Sequence, residues 1–249
     1  MNPTEIKKFY DEKGYVAING FLSKDQVEEL TSQTDRFIKE VIPAIPAEEV
    51  YYENKLDQST LKQIQHMHDF DPWFNNLANS KEVMGLAELL LGGKAVLKNT
   101  QYFNKIPYQG KETPAHQDGY YFMIMPQVAL TMWLSLGDAD AENGAVCYIP
   151  GSHKKGMREH GKTALLGFSQ GVTDWSDEDS EAEVQMKAGA GDILVHHSLT
   201  IHRANSNNSN RDRRAIGFIF YGSDVVIDEK AHAEYKKKLD TDLSKQGKI

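Results

Sequence analysis

Two histidines and an aspartate, lying in two separate parts of the chain, are the residues best placed to do chemistry. His116 and Asp118 occur in the segment His116-Gln-Asp118, and His202 follows far downstream. Side chains two residues apart in an extended strand project to the same face, so His116 and Asp118 are predicted to bind one ion together. With His202 as third ligand, the set leaves other coordination positions open, which is typical of non-heme Fe(II) oxygenases.

Other histidines offer alternative ligands, because the chain contains nine of them. His66 and His68 have the same spacing, but their surroundings predict helix or loop, where that spacing does not bring both rings to one face. His196 and His197 are interpreted as alternatives to His202 or as residues that support the ligands. His202 is favoured because the polar, turn-rich stretch 205–211 follows it and leads into the last strand.

Arg213 lies between the third candidate ligand and the final apolar strand. A buried arginine at the mouth of a barrel offers a planar fork that suits a carboxylate. The alternative is a surface ion pair with the adjacent Asp212 or with a neighbouring acid. Arg214 is predicted to face the other way and therefore serves as an internal control.

Composition limits the class of protein. A formal net charge of -8 argues against a nucleic-acid backbone as partner, because phosphate binding needs clustered positive charge. The single cysteine, Cys147, excludes an internal disulfide and fits a reducing compartment. The N-terminus lacks the apolar core of a signal peptide, and no apolar run is long enough for a membrane span. A cytoplasmic enzyme with a small-molecule substrate is expected, without a nucleic-acid or membrane partner; the sequence predicts no oligomeric state.

The elements that must position these residues change character along the chain. Ser23 and Gln26 form a predicted capping box, and a second helix is expected between Ser80 and Gly92. The acidic segment 177–183 is predicted to be a solvated loop, and Glu142-Asn-Gly144 to be the turn of a hairpin. Short strands are predicted over 95–104, 128–136, 145–149, 192–195 and 215–221.

This order of elements predicts a mainly β fold with flanking helices, in the form of a jelly roll or barrel. The prediction is a single domain over 1–249. Residues 1–93 are mostly helical support, 94–222 are the jelly-roll core and 223–249 are a C-terminal helix.

Several segments together resemble the phytanoyl-CoA dioxygenase family, from about residue 20 to residue 221. They are His116-Gln-Asp118, Glu142-Asn-Gly-Ala-Val-Cys-Tyr-Ile-Pro-Gly-Ser-His153, Gly191-Asp192 with His197 and His202, and Arg213-Arg-Ala-Ile. The resemblance implies a double-stranded β-helix (a cupin-like jelly roll) and an enzyme that uses Fe(II), 2-oxoglutarate and O2. It implies hydroxylation of an unactivated carbon of a small molecule, with release of succinate and CO2. Halogenating relatives have a small residue in place of the carboxylate ligand, whereas Asp118 is present here.

The resemblance also implies a role for individual residues. His116, Asp118 and His202 would hold iron, and Arg213 would bind the distal carboxylate of 2-oxoglutarate. Further cosubstrate contacts are expected from Trp133, Thr131, Gln101 and Asn99.

The substrate pocket is expected to follow the first two ligands, in the aromatic segment 119–125. Tyr120 and Phe122 share the face of His116 and Asp118 if the strand continues, and Phe168 lies in a long insertion where specificity loops tend to occur. The alternative function is a metal-binding, cupin-like protein without oxygenase activity, either an isomerase or a small-molecule binding module. That alternative leaves Arg213 without a role.

Overall fold

The computed structural model describes residues 2–165, 168–230, 233, 234, 237 and 241. Its strands are β1 (Tyr15–Ile18), β2 (Val50–Tyr52), β3 (Leu61–Ile64), β4 (Ala95–Lys105), β5 (Thr113–His116), β6 (Ile124–Met125), β7 (Ala129–Ser135), β8 (Val146–Tyr148), β9 (His160–Leu165), β10 (Phe168–Val172), β11 (Val184–Gln185), β12 (Ile193–His197), β13 (His202–Ala204), β14 (Arg213–Gly222) and β15 (Val226–Ile227).

The helices are α1 (Pro3–Lys13), α2 (Lys24–Arg36), α3 (Met67–Phe70), α4 (Pro72–Ala78), α5 (Lys81–Leu91), α6 (Gly119–Phe122) and α7 (Asp177–Ala182). A π-helical turn, Phe37–Val41, continues α2. Short 3-10 turns occupy Ile42–Ala44, Ala47–Glu49, Gln58–Thr60 and Ser152–Lys155.

Two antiparallel sheets form the jelly roll. The major sheet has the strand order β1-β12-β7-β14-β4-β3-β2, and the minor sheet has the order β11-β8-β13-β5. Two further pairs, β9 with β10 and β6 with β15, stand outside these sheets. The predicted fold class, mainly β with flanking helices, is confirmed.

Each face of the major sheet buries its own set of side chains. The outer face packs against the helices, with Leu30 of α2, Phe74 of α4 and Leu86 of α5 in one core with Phe218. The inner face meets the minor sheet, where Trp133 and Ala215 pack with Tyr148 of β8. Alternation along β7 and β14 therefore separates a helix-braced core from the inner, site-bearing face.

The predicted helix boundaries are confirmed where capping residues mark them. Ser23 and Gln26 form a reciprocal capping box at the start of α2. Ser80 caps α5, and Gly92 ends it in the left-handed conformation, with φ of 73°. Both helices begin or end where a side chain or a glycine satisfies backbone groups that the helix leaves free.

Three sequence predictions need correction. The turn at Glu142-Asn-Gly144 joins β7 to β8, but these strands belong to different sheets, so it crosses between the sheets and makes no hairpin. Residues 177–183 are mostly the helix α7, because Ser176 forms a capping box with Asp179. The N-terminal region contributes β1 to one edge of the major sheet and β2 and β3 to the other.

The predicted C-terminal helix over 223–249 falls mostly outside the described residues. Within the described part, 223–228 contains the strand β15, and residues 229, 230, 233, 234, 237 and 241 are helical. Among the described residues, no helix combines the length and apolar character that crossing a membrane requires.

Candidate active site

His116 and His202 face each other across two neighbouring strands. They are direct partners in the register of β5 and β13, and their ring centroids are 4.1 Å apart. Nδ1 of His116 lies 2.8 Å from the carbonyl oxygen of Pro114, and Nδ1 of His202 lies 3.0 Å from that of Thr200. A carbonyl only accepts, so each Nδ1 carries the hydrogen and each Nε2 presents a lone pair, as a metal-binding imidazole requires.

Asp118 completes a set of three candidate ligands. Its Oδ1 lies 3.4 Å from Nε2 of His116 and 3.5 Å from Nε2 of His202. One ligand atom from each residue falls within 4.8 Å of the others, a spacing that one metal ion can bridge. The prediction that His116 and Asp118 lie in one extended strand is wrong. β5 ends at His116, and Asp118 has helical dihedral angles at the start of α6.

The second carboxylate oxygen of Asp118 is held from the major sheet. Thr131 Oγ1 donates to Oδ2 over 2.5 Å, and Nε2 of His196 donates to the same oxygen over 3.1 Å. Nδ1 of His196 lies 3.0 Å from the hydroxyl of Tyr148, which fixes that ring in turn. Oδ2 is thereby occupied, and Oδ1 remains turned towards the two histidines.

These contacts change the expected role of Thr131. Its single hydroxyl proton is used on Asp118, so it is not available to a cosubstrate carboxylate, as the sequence analysis expected. His196 supports the candidate ligand Asp118, which is one of the two roles that the sequence predicted for the His196-His197 pair. Tyr148 was missed, because a tyrosine inside the apolar strand β8 gives no sequence signal beyond burial.

The environment stabilises the protonation states that metal binding needs. Burial alone would raise the pKa of Asp118, but His202, His116 and His196 outweigh it, so this pKa lies well below its usual value. Burial, reinforced by His116 and His196, holds the pKa of His202 well below its usual value. An ionised carboxylate beside an uncharged imidazole is a donor set for a divalent cation.

Gln117 lies between the first two ligands and forms hydrogen bonds to two other segments of the chain. Its buried side chain donates to the carbonyls of Gly156 at 2.9 Å and Leu199 at 2.7 Å, and it accepts from the Arg158 N–H at 2.7 Å. The Gln117 N–H in turn donates to Nε2 of His160. These bonds connect the segment that carries Asp118 to the segment that leads to His202.

Arg213 is buried and has no acidic partner among the residues that the structure describes. Its side chain is 7% exposed, and Nη1 donates to the Gly144 carbonyl at 3.0 Å. Within the described part of the chain, Nε has no hydrogen-bond partner. Burial lowers the pKa of Arg213 to about 10. The alternative of an ion pair with Asp212 is wrong, because that carboxylate accepts from Asn104 instead.

Arg214 behaves as the predicted control. It points to the outer face, where it pairs with Asp35 and donates to the Tyr102 hydroxyl. Adjacent arginines on β14 therefore have opposite environments, since successive side chains of a strand alternate between faces.

Trp133 and Gln101 line the same inner face as Arg213. The Arg213 guanidinium lies 5.1 Å from the centre of the Trp133 ring, and both Trp133 and Gln101 are register partners of Gly217. A Cβ at Gly217 would lie 2.8 Å from the ring of Phe103, so this position has room only for a glycine. Asn99 also faces inward, but its amide oxygen accepts from the His66 N–H at 2.8 Å and so holds the loop before α3.

Lys105 is a second buried cation that sequence reasoning missed. It is the direct register partner of Arg213 on β4 and is 5% exposed. Its Nζ donates to the Lys111 carbonyl. Burial first, and then the charges of Arg213 and Lys62, hold its pKa well below the usual value. The available signal was its position two residues after Phe103, because side chains two residues apart in a strand lie on the same face.

The predicted substrate-pocket residues separate in the structure. The strand does not continue past the ligands, so the shared-face argument for Tyr120 and Phe122 is wrong. Tyr120 stacks on His160, and Phe122 packs against Tyr221. The backbone of Phe168 lies in β10, and its side chain falls outside the described part.

Tyr121, which the sequence analysis did not single out, contacts a candidate ligand directly. Its ring meets His116 edge-on at 5.9 Å, and its hydroxyl donates to the Gln170 carbonyl at 2.7 Å. The rival histidine pair has other partners: His66 bonds to Glu49 at 2.7 Å, and His68 lies 3.5 Å from Asp69.

A jelly roll that carries two histidines and one carboxylate in this arrangement defines a class, the non-heme Fe(II)- and 2-oxoglutarate-dependent dioxygenases. The family model described as phytanoyl-CoA dioxygenase (PhyH) matches residues 10–215. The chain belongs to the phytanoyl-CoA dioxygenase family and is an enzyme of this class. Enzymes of the class use Fe(II), 2-oxoglutarate and O2.

Individual relatives are similar at moderate identity. The human peroxisomal phytanoyl-CoA dioxygenase is 26% identical, over 92% of this chain and 72% of that protein. A probable alpha-ketoglutarate-dependent hypophosphite dioxygenase of Stutzerimonas stutzeri is 26% identical, over 84% of this chain and 75% of its own. The carbocyclase SnoK of nogalamycin biosynthesis superimposes with a TM-score of 0.73 at 24% identity, covering 90% of this chain and 85% of SnoK. At that identity, the superposition shows the fold.

Proposed function

We propose that this protein hydroxylates an unactivated carbon of a small-molecule substrate, with His116, Asp118 and His202 as the Fe(II) ligands and 2-oxoglutarate as cosubstrate. The observation that carries the proposal is the occurrence of two features between the same two sheets. Three ligand atoms within 4.8 Å of one another supply the metal site, and a buried arginine with no acidic partner among the described residues supplies an anion site.

The donor set fits iron chemically. Two imidazole nitrogens and one carboxylate oxygen suit a divalent transition metal and leave positions for other ligands. Both histidines are orientated by backbone carbonyls, and Asp118 is orientated by Thr131 and His196. Such supporting hydrogen bonds fix the tautomer and direction of each donor, which is what metal sites of this kind need.

The anion site fits the distal carboxylate of 2-oxoglutarate. Arg213 keeps Nε free of any protein partner in the described part of the chain, and the Trp133 ring lies beside the guanidinium. A planar guanidinium can donate two parallel hydrogen bonds to a carboxylate. The amide of Gln101, on the same face, is proposed as an additional contact, and Asn99 as one through its amide nitrogen.

When bound, iron and 2-oxoglutarate supply the means to reduce dioxygen and insert one of its oxygen atoms into a C–H bond, with succinate and CO2 as coproducts. The protein's own part is to hold the ligands, to neutralise the cosubstrate's charge and to exclude water. Asp118 would supply the carboxylate ligand that halogenating relatives lack, and this supports hydroxylation over halogenation. Tyr120, Phe122 and Phe168 remain proposals for the substrate pocket.

Anaerobic titration of the metal-free protein with Fe(II) and then 2-oxoglutarate tests the proposal. A weak visible charge-transfer band that requires both additions is expected, because the 2-oxo group and adjacent carboxylate would chelate iron at its open positions. Asp118→Ala should lose the band, whereas His68→Ala should keep it, since His68 belongs to the rival histidine pair. Tight iron binding without a band on adding 2-oxoglutarate would instead favour the metal-binding alternative without oxygenase activity.

The substrate is proposed only as a small molecule. The relatives named above are a phytanoyl-CoA dioxygenase, a probable hypophosphite dioxygenase and a carbocyclase, so their names point to different substrates. The net charge of -8 supports a partner other than nucleic acid. We also propose that residues 1–249 form one domain, and that a chain with a single cysteine works in the reducing cytoplasm.

A further inference from the structure

The second buried cation of the inner face has no role in the function proposed so far. Lys105 and Arg213 are direct partners on adjacent antiparallel strands, and they are 5% and 7% exposed. Directly opposed side chains in such a pair lie close together, so like charges there repel each other. Two opposed, buried cations are therefore an unfavourable pair unless an anion lies between them.

Among the described residues, no carboxylate forms an ion pair with Lys105 or Arg213, although the charges of Glu53 and Glu112 act on Lys105 from farther away. Glu53 pairs instead with Lys62 at 3.1 Å and with Lys111 at 3.9 Å. The only hydrogen bond described for the Lys105 ammonium is the one to the Lys111 carbonyl, although an ammonium has three donors.

The backbone around Lys105 is shaped to receive its side chain beside Arg213. The Gly144 carbonyl accepts from Arg213 at 3.0 Å, and a Cβ at Gly144 would lie 3.0 Å from Cδ of Lys105. A Cβ at Gly110 would lie 2.7 Å from Cβ of Lys105. Both cationic side chains therefore lie beside Gly144, and the aliphatic part of Lys105 lies between two glycines, Gly110 and Gly144.

We propose that Lys105 is a second cationic contact for the distal carboxylate of the cosubstrate and makes the site selective for a dicarboxylate 2-oxo acid. The inference rests on the proposed use of 2-oxoglutarate. A carboxylate has two oxygens with room for several donors, so Arg213 and Lys105 can bind it together. One added anion then relieves the repulsion between the two cations.

Equilibrium binding to the Mn(II)-loaded protein, measured by calorimetry, tests the inference without turnover. The two probes are 2-oxoglutarate and 2-oxovalerate, which keeps the 2-oxo acid and the chain length but has a methyl group in place of the distal carboxylate. In Lys105→Met the Kd of 2-oxoglutarate should rise about 30-fold, as expected when one partner of a buried charged contact is removed. The Kd of 2-oxovalerate should stay unchanged.

Controls separate this inference from the proposed function. Lys98→Met removes a positive charge from the same strand and should leave both constants as in the wild type. Mn(II) affinity reports folding; if Lys105→Met loses it, Lys105→Gln, which keeps a donor for the Lys111 carbonyl, carries the same comparison. An unchanged Kd for 2-oxoglutarate, or an equal loss for both acids, overturns the role of Lys105. A wild-type protein that binds neither acid overturns the proposed function, and this inference with it.

Discussion

Replacing Arg213 by methionine should strengthen the metal-free fold and weaken cosubstrate binding at the same time. Methionine keeps a stem of similar length and removes the charge. Burial lowers the pKa of Arg213 to about 10, so below that pH the folded protein carries the charged guanidinium at a cost in free energy that the unfolded chain does not have. Removing the charge removes that cost at neutral pH.

The size of the stability gain follows from the same shift. The difference between a pKa of about 10 and the ordinary arginine value corresponds to about 3 kcal/mol. Loss of the hydrogen bond to the Gly144 carbonyl offsets about 1 kcal/mol of this. The net expectation is a gain of about 2 kcal/mol in the free energy of unfolding, in line with the general effect of replacing buried charges by apolar groups.

The affinity of Arg213→Met for the cosubstrate should fall. The Arg213 guanidinium has no acidic partner among the described residues, and the ligand carboxylate is its proposed counter-charge. Its loss should therefore cost about 3 kcal/mol, or about a 100-fold rise in the Kd of 2-oxoglutarate. Urea unfolding of the metal-free protein and calorimetry on the Mn(II) form measure the two quantities.

Arg214→Met is the matched control on the same strand. Arg214 pairs with Asp35 on the outer face, so its loss should cost at most about 1 kcal/mol of stability and leave cosubstrate binding unchanged. A less stable Arg213→Met with normal affinity for 2-oxoglutarate would refute the reasoning. If only Arg214→Met weakened that affinity, the wrong arginine would have been assigned.

Three further outcomes are expected. His116→Ala and His202→Ala should each abolish Mn(II) retention on dialysis, because two donors hold a divalent ion too weakly; metal analysis showing an equimolar ion would contradict this. Thr131→Val should weaken Mn(II) binding about 10-fold by removing one of the two hydrogen bonds to Oδ2 of Asp118, while Thr131→Ser, which keeps the donor, should not. Burial, with His153 and His196, lowers the pKa of His197 from 6.5 to about 4, so the unfolded chain binds the extra proton first as the pH falls. Stability of the metal-free protein should therefore fall by about 3 kcal/mol between about pH 6.5 and 4, and His197→Gln should flatten that slope in urea titrations at several pH values; equal slopes would rule His197 out.

The strands of the core were predictable because their burial leaves a local pattern. β4, β7 and β14 read as alternating or apolar runs, and the structure has them within about two residues of the expected bounds. The turn between β7 and β8 shows the limit of such patterns. Its residues predict a turn correctly, but whether the chain returns to the same sheet or crosses to the other depends on contacts far away in sequence.

The candidate site shows the same division. His116, Asp118 and His202 were grouped from residue type, spacing and family resemblance, and their metal role stays a prediction. The part of Thr131 could not be read from the sequence, because its partner, Asp118, lies in a different element that only the packing of the two sheets brings near. Lys105 was missed for a related reason: a lysine at the end of a strand looks exposed unless its cross-strand partner is known.

The opposed placement of His116 and His202 has a consequence for how the chain tolerates insertions and deletions. The two residues meet only in one register of β5 and β13, and a slip of one residue would turn a ligand to the opposite face of the sheet. Length changes in the connection between β13 and β14 leave that register alone, whereas one added or deleted residue within either strand moves an imidazole out of reach. We therefore expect insertions and deletions among related sequences to occur in the loops and to be absent from β5 and β13.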